Sequence, residues 1–175
     1  FEKNKAEINN LDSNIWVIAS EAEFDLKQKI EGIGTALKDW ELTINFGIKT
    51  GYNDAFIIDE AKREELISKD PKSLEVIKPL LRGKDIVAYG HKFKEIYLIN
   101  SHNGYIDEDG NNIPAILIDD YPAIKSHLDM YWSKISIRYD KGLTPYNLRS
   151  CAYYLALQKE KIIYSEIVKE PQFFY

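Results

Sequence analysis

Short blocks of helical and of strand-like patterning follow one another along this chain without a regular strand–helix–strand beat. A doubly wound parallel sheet needs that beat. Its absence argues for an α+β fold, with an irregular mixed or antiparallel β part and helices packed beside it. The 175 residues suffice for one domain with a small appendage, and a chain of that size hides roughly 70% of its unfolded surface. Hydrophobic residues make up 45% and aromatics 13%, too much for a disordered segment. No apolar run reaches the roughly 18 residues of a membrane span, and the opening F-E-K-N-K-A-E lacks a signal-peptide apolar region. A cytoplasmic domain without a membrane partner is the expectation. The chain opens without methionine and closes on the apolar P-Q-F-F-Y, so both ends read as cuts in a longer protein.

The apolar run Ile15–Ile18 leads to Ser20, which forms a capping-box pattern with Glu23. Phe24, Leu26, Ile30, Ile33 and Leu37 then recur near helical spacing and predict a helix through Trp40, weakened by Gly32 and Gly34. Thr43–Ile48 and Ala55–Ile58 read as two strands of a hairpin turning at Lys49-Thr50-Gly51. Asp59 caps a helix to about Lys69, and Asp70-Pro71 starts another helical turn. Asp85–Tyr89 and Glu95–Asn100 are candidate strands, joined by the basic stretch Tyr89–Lys94. Between Tyr105 and Pro114, D-E-D-G-N-N is strong turn chemistry, and Asp120-Tyr121-Pro122 opens a further helix. Arg138–Pro145 is a loop with Gly142, Tyr153–Gln158 is ambiguous, and Lys161–Ile167 reads as a strand.

Catalytic and metal-binding patterns do not assemble. Gly32-Ile33-Gly34 lacks the third glycine of a dinucleotide fingerprint, since Leu37 stands there. Were Gly110 the sixth residue of a calcium loop, Tyr105 and Ile116 would occupy its first and twelfth places, and neither is a workable ligand. His91, His102 and His127 lie apart, and none pairs with the lone Cys151 at zinc-ligand spacing; that single cysteine also excludes an internal disulfide. There is no G-x-S-x-G elbow, no G-K-[ST] phosphate loop and no H-E-x-x-H. The expectation is no catalysis, metal or cofactor within these residues.

Basic residues interleaved with aromatics are more unusual. Residues 1–75 carry 16 acids and 10 bases, whereas the remainder carries 12 acids and 13 bases. The later part is thus free to present a local basic face despite a net charge of −5. One group is Thr50, Gly51, Tyr52 and Asn53, whose small and amide side chains suit phosphate or base-edge contacts, or simply satisfy a turn. A second is Lys78, Arg82, Lys84, Tyr89, His91, Lys92 and Lys94, and a third is Lys134, Arg138, Lys141, Tyr146 and Arg149. Arginine gives bidentate base contacts and lysine positions a protein on phosphates; the alternative is solvated faces with Arg82 or Arg149 in structural ion pairs.

Six blocks occur in order: I-N-F-G-I-K-T-G-Y-N-D-A-F-I-I-D (Ile44–Asp59), I-K-P-L-L-R-G-K-D-I (Ile77–Ile86), Y-L-I-N (Tyr97–Asn100), Y-P-A-I-K-S-H-L (Tyr121–Leu128), R-Y-D-K-G (Arg138–Gly142) and K-I-I-Y-S-E-I (Lys161–Ile167). In this series the chain resembles the TaqI-like C-terminal specificity domain, the target-recognition part of type IIG restriction–modification enzymes and adenine-specific DNA methyltransferases. It is also similar to the matching region of BREX-type phage-defence methyltransferases.

The resemblance implies a target-recognition domain over residues 41–175, truncated at its C-terminal end, with residues 1–40 as the connector from a missing catalytic domain. It implies double-stranded DNA and the parent's own methyltransferase domain as partners. S-adenosylmethionine, with magnesium as a further candidate, would belong to the parent's other domains. The methyltransferase signature [N/D]-P-P-[Y/F] is absent here, because the prolines at 71, 79, 114, 122, 145 and 171 are never adjacent. On this reading Arg82, Lys84, Lys92, Arg138 and Lys141 anchor phosphates, and Thr50, Asn53, Tyr146 or Arg149 approach base edges. The alternative is a protein-interaction module of a phage-defence complex that does not read DNA.

Overall fold

The computed structural model describes residues 20–166 and 172–175. The expected strand-like run Ile15–Ile18, and Ile167 at the end of the last expected strand, lie outside the described residues. The chain divides after Asn45 into two units, taken separately.

In the first unit, helix α1 (Glu21–Ile33) begins at the capping box read from the sequence. The Glu23 carboxylate accepts from the Ser20 N–H at 2.8 Å, and the Ser20 hydroxyl accepts from the Glu23 N–H at 3.4 Å. The helix stops at Ile33 rather than running to Trp40. Gly34 is extended at the C-cap, its N–H closing on the Ile30 carbonyl, and the chain resumes only as a 3₁₀ turn at Leu37–Asp39. Two glycines in three residues cost roughly 1 kcal/mol each within a helix, enough to end it.

The second unit is an irregular α+β assembly. Helix α2 (Asn53–Phe56) runs into strand β1 (Ile57–Asp59), and Asp59 then caps helix α3 (Glu60–Lys69) by accepting from the Lys62 N–H at 2.8 Å. A 3₁₀ turn at Pro71–Glu75, capped by Asp70, leads to β2 (Ile77–Pro79). Next come β3 (Ile86–Val87), β4 (Gly90–His91) and β5 (Ile96–Ile99). The D-E-D-G-N-N turn joins β6 (Asn103–Ile106) to β7 (Asn112–Ala115) as a hairpin. Helices α4 (Pro122–Asp129) and α5 (Trp132–Ile135) precede the loop, and β8 (Ile163–Tyr164) pairs with β9 (Phe173–Phe174).

The expected hairpin of Thr43–Ile48 with Ala55–Ile58 is not formed. Thr43–Ile48 is irregular, because a helical turn at Asn53–Phe56 diverts the chain before it can return alongside. Strand β1 instead pairs antiparallel with β5, Ile58 opposite Tyr97, and β2 flanks β5 on its other edge, Lys78 opposite Leu98. The apolar run Ile96–Ile99 suits this central place. Helix α3 packs on β1 and β5 and against α4, and together they enclose Phe56, Ile99, Ile124, Leu128 and Ile135. Tyr153–Gln158 resolves as a turn followed by a 3₁₀ segment, Leu155–Gln158.

His127 is a buried fastening between α4 and α2. Its Nε2–H donates to the Ala55 carbonyl at 3.0 Å, which leaves Nδ1 as a bare acceptor without a partner among the described residues. Burial pushes its pKa down, with Lys62 in the same sense; the bond to Ala55 and the Glu65 charge oppose this. The native state therefore binds its proton later than the unfolded chain. Stability is full above about pH 6.5, the unfolded histidine value, and falls as pH drops below it. Urea midpoints measured between pH 7.5 and 5 should fall on acidification, and less steeply for His127→Gln. An equal slope in both proteins would remove His127 from the acid response.

Candidate nucleic-acid interface

The residues expected to meet DNA separate into three environments. Arg138 and Thr50 lie inside. The Arg138 side chain is sandwiched with its guanidinium 4.4 Å from the Phe56 ring centre. Its Nη1 donates to the carbonyls of Thr50 and, at 2.8 Å, Asp140; its Nη2 donates to those of Pro145, at 3.0 Å, and Asn147. Desolvation pulls its pKa down to about 10 against the opposing charge of Asp140. The expected phosphate anchor is thus a hub that holds the 138–147 loop to the turn at Thr50. Its Nη1 and Nη2 donors face carbonyls, its buried Nε–H has no partner among the described residues, and only 6% of the residue is exposed.

The Thr50 hydroxyl is likewise committed, donating to Asn53 Oδ1 at 2.6 Å. Gly51 has φ +68°, and a Cβ there would stand 3.0 Å from the Asp140 carbonyl oxygen. Of the two readings open for this segment, the geometry answers to turn chemistry. Asn53 remains exposed at the start of α2.

Arg82, Arg149 and Tyr146 are near the surface but engaged. Arg82 makes a bidentate pair with the buried Asp85, Nε to Oδ2 at 2.8 Å and Nη2 to Oδ1 at 3.2 Å. The hydrogen bonds hold the Asp85 carboxyl below its ordinary range and raise the guanidinium. Arg149 pairs with Asp140 at 2.9 Å, and the Tyr146 hydroxyl donates to Asp129 at 2.6 Å. Planar, bidentate arginines are the side chains best suited to read guanine. Here they are used to fasten the fold.

Lysines remain. Lys84, Lys92 and Lys141 are exposed, as are Lys78 and Lys94. Lys141 Nζ donates to the Ser136 carbonyl at 2.8 Å. On the helical faces, by contrast, Lys62 and Lys69 pair with Glu65 and Lys125 pairs with Asp129. Among the described residues, no carboxylate pairs with Lys78, Lys84, Lys92 or Lys94, and both oxygens of Asp85 are held by Arg82. Lys84 and Lys92 stand together at the base of the β3–β4 hairpin, where the Lys92 N–H bonds to the Asp85 carbonyl at 2.7 Å.

Tyr89 occupies the turn of that hairpin, with φ +58° and 95% of its surface exposed. A left-handed conformation costs a bulky L-residue about 1–2 kcal/mol and glycine almost nothing. The turn is nevertheless held: the Tyr89 N–H donates to the Phe173 carbonyl at 3.0 Å, and the His91 and Phe174 rings meet at 4.5 Å. The sequence grouped Tyr89 with these bases, but its projection and its backbone conformation carry no local signal.

A recess lined by Asn100, His102, Cys151 and Tyr154 has room for one water at most, too small for a substrate. No cluster of metal-ligating side chains occurs among the described residues, and none of their helices is long and apolar enough to cross a membrane. No family model matches the sequence, and no curated protein matches it either.

Proposed function

We propose that this chain is the DNA sequence-recognition segment of a type IIG restriction enzyme or adenine-specific DNA methyltransferase. It would position the target site for a separate S-adenosylmethionine-dependent domain of the parent, in the cytoplasm. The ordered series of sequence blocks from Ile44 to Ile167 motivates the family. The observation that carries DNA contact is the set of exposed lysines, without carboxylate partners among the described residues, at the base of a hairpin with a projecting aromatic. Unpaired surface cations release counterions from DNA, whereas paired ones have already lost much of that gain. The methyl-transfer chemistry is assigned elsewhere because this sequence lacks the [N/D]-P-P-[Y/F] motif.

The test is DNA affinity measured against salt concentration. Replacing Lys84 and Lys92 together with alanine should reduce the log–log slope by about 1.8, or about 0.9 for each phosphate contact. An unchanged slope in a folded variant would refute contact through this face. A second reading, a protein-interaction module of a phage-defence complex, draws on Ile137, Tyr139 and Leu143, which are 80, 96 and 79% exposed around the Arg138 loop. Partner binding untouched by excess DNA and by the lysine substitutions would favour it.

A further inference from the structure

A strained backbone is ordinarily relieved by glycine, so a large aromatic that occupies such a position and packs on nothing calls for a reason. Tyr89 is that residue: its φ is +58°, its surface is 95% exposed, and its backbone is tied to Phe173. We infer that Tyr89 is a base-contacting residue, its ring presented by the β3–β4 hairpin to pack on a DNA base while Lys84 and Lys92 hold the neighbouring phosphates. The inference rests on the DNA reading above and assigns it a specific aromatic contact.

The charge around the hairpin selects nucleic acid over an apolar protein surface. Lys84 and Lys92 flank its base, Lys94 follows two residues later, and Asp85 is neutralised by Arg82. The acid left in this stretch is the exposed Glu95. An extended chain rises about 3.3 Å per residue, which places the tyrosine about 10 Å beyond the backbone of Lys92. That separation allows phosphate and base contacts at once. The ring needs no induced ordering of its backbone, because the Phe173 carbonyl and the His91–Phe174 stack already hold the turn. A pre-set turn saves the entropy of ordering on binding.

The experiment compares the 175-residue chain with Tyr89→Gly, Tyr89→Phe and the Lys84→Ala/Lys92→Ala pair. The probe is a pool of 30-base-pair duplexes of randomised sequence, followed by affinity and salt dependence on the selected site. Tyr89→Gly suits the left-handed turn, so its thermal midpoint should not fall. Its affinity for the selected site should fall about 5- to 150-fold, the range for losing one aromatic–base contact, with the salt slope unchanged. It should also lose selection at one or more base positions, and Tyr89→Phe should retain both affinity and selection. The lysine pair should do the opposite, lowering the slope while keeping the selected sequence. Equal affinity and equal selection in Tyr89→Gly would overturn the assignment of Tyr89 and leave the DNA reading standing. A wild-type chain with no salt-dependent binding, or with no enriched sequence, would overturn both.

Discussion

Arg138→Ala is expected to destabilise the protein by about 3–5 kcal/mol, a substantial part of what holds a domain of this size together. Four backbone carbonyls, those of Thr50, Asp140, Pro145 and Asn147, would lose their guanidinium donors in one step, and of these Asn147 keeps a second donor, the Gly142 N–H. Each buried carbonyl left without a donor costs about 1–3 kcal/mol unless water reaches it. The packing of the guanidinium on the Phe56 ring would go as well. Arg138→Lys should recover only part of the loss, since an ammonium on a flexible stem cannot serve carbonyls arranged around a planar fork. Urea unfolding of the two variants measures this directly. A loss below about 1 kcal/mol in Arg138→Ala would mean that the loop holds without its hub. The functional consequence is specific: any fall in DNA affinity in this variant should track its unfolded fraction and leave the salt slope of the folded protein unchanged.

Gly142→Ala should cost about 1–3 kcal/mol, the usual penalty for an added methyl group in a full space. The Gly142 N–H bonds to the Asn147 carbonyl at 3.0 Å, and Lys141 forms an isolated bridge with Leu148. A Cβ at position 142 would stand 2.5 Å from the Leu148 carbonyl oxygen and would also meet the Asn103 side-chain amide. Neither neighbour yields easily. The Leu148 N–H is bonded to the Ser101 carbonyl at 2.8 Å, and the Asn103 amide holds both the Leu143 N–H and the Ser150 hydroxyl. Such a cost corresponds to a fall in thermal midpoint of about 2–12 °C for a chain of this length. Gly47→Ala is the matched control, since nothing lies within 4 Å of its added methyl group. If the two alanine variants melt together, the contact at Gly142 is not a constraint on the loop.

Both predictions concern a loop that sequence reading assigned to the DNA surface, and the reason for the difference is physical. Arg138 lies in a polar turn with a basic neighbour, Lys141, and basic turns are ordinarily solvated. Its burial depends on the Thr50 turn, 88 residues earlier, and on the Phe56 ring. No local window contains that information. Arg82 and Arg149 were open to structural ion pairing from the start, and both are so engaged. Lys84 and Lys92 carry the same formal charge but pair with no carboxylate among the described residues.

The sequence by itself determined the elements whose signals are local. Ser20 with Glu23, Asp59 before α3, Asp70 before the Pro71 turn and the D-E-D-G-N-N turn each satisfy backbone groups within a few residues, and Pro122 starts α4 because it has no N–H to satisfy. Short, irregularly ordered blocks of pattern also sufficed for the α+β class. Only the tertiary structure decided that β1 joins β5 rather than Thr43–Ile48, that Arg138 turns inward, and that Tyr89 stands out from a strained turn. Strand partners, buried charges and backbone strain depend on contacts between residues far apart in the chain. A side chain's environment is set by what the whole fold brings beside it.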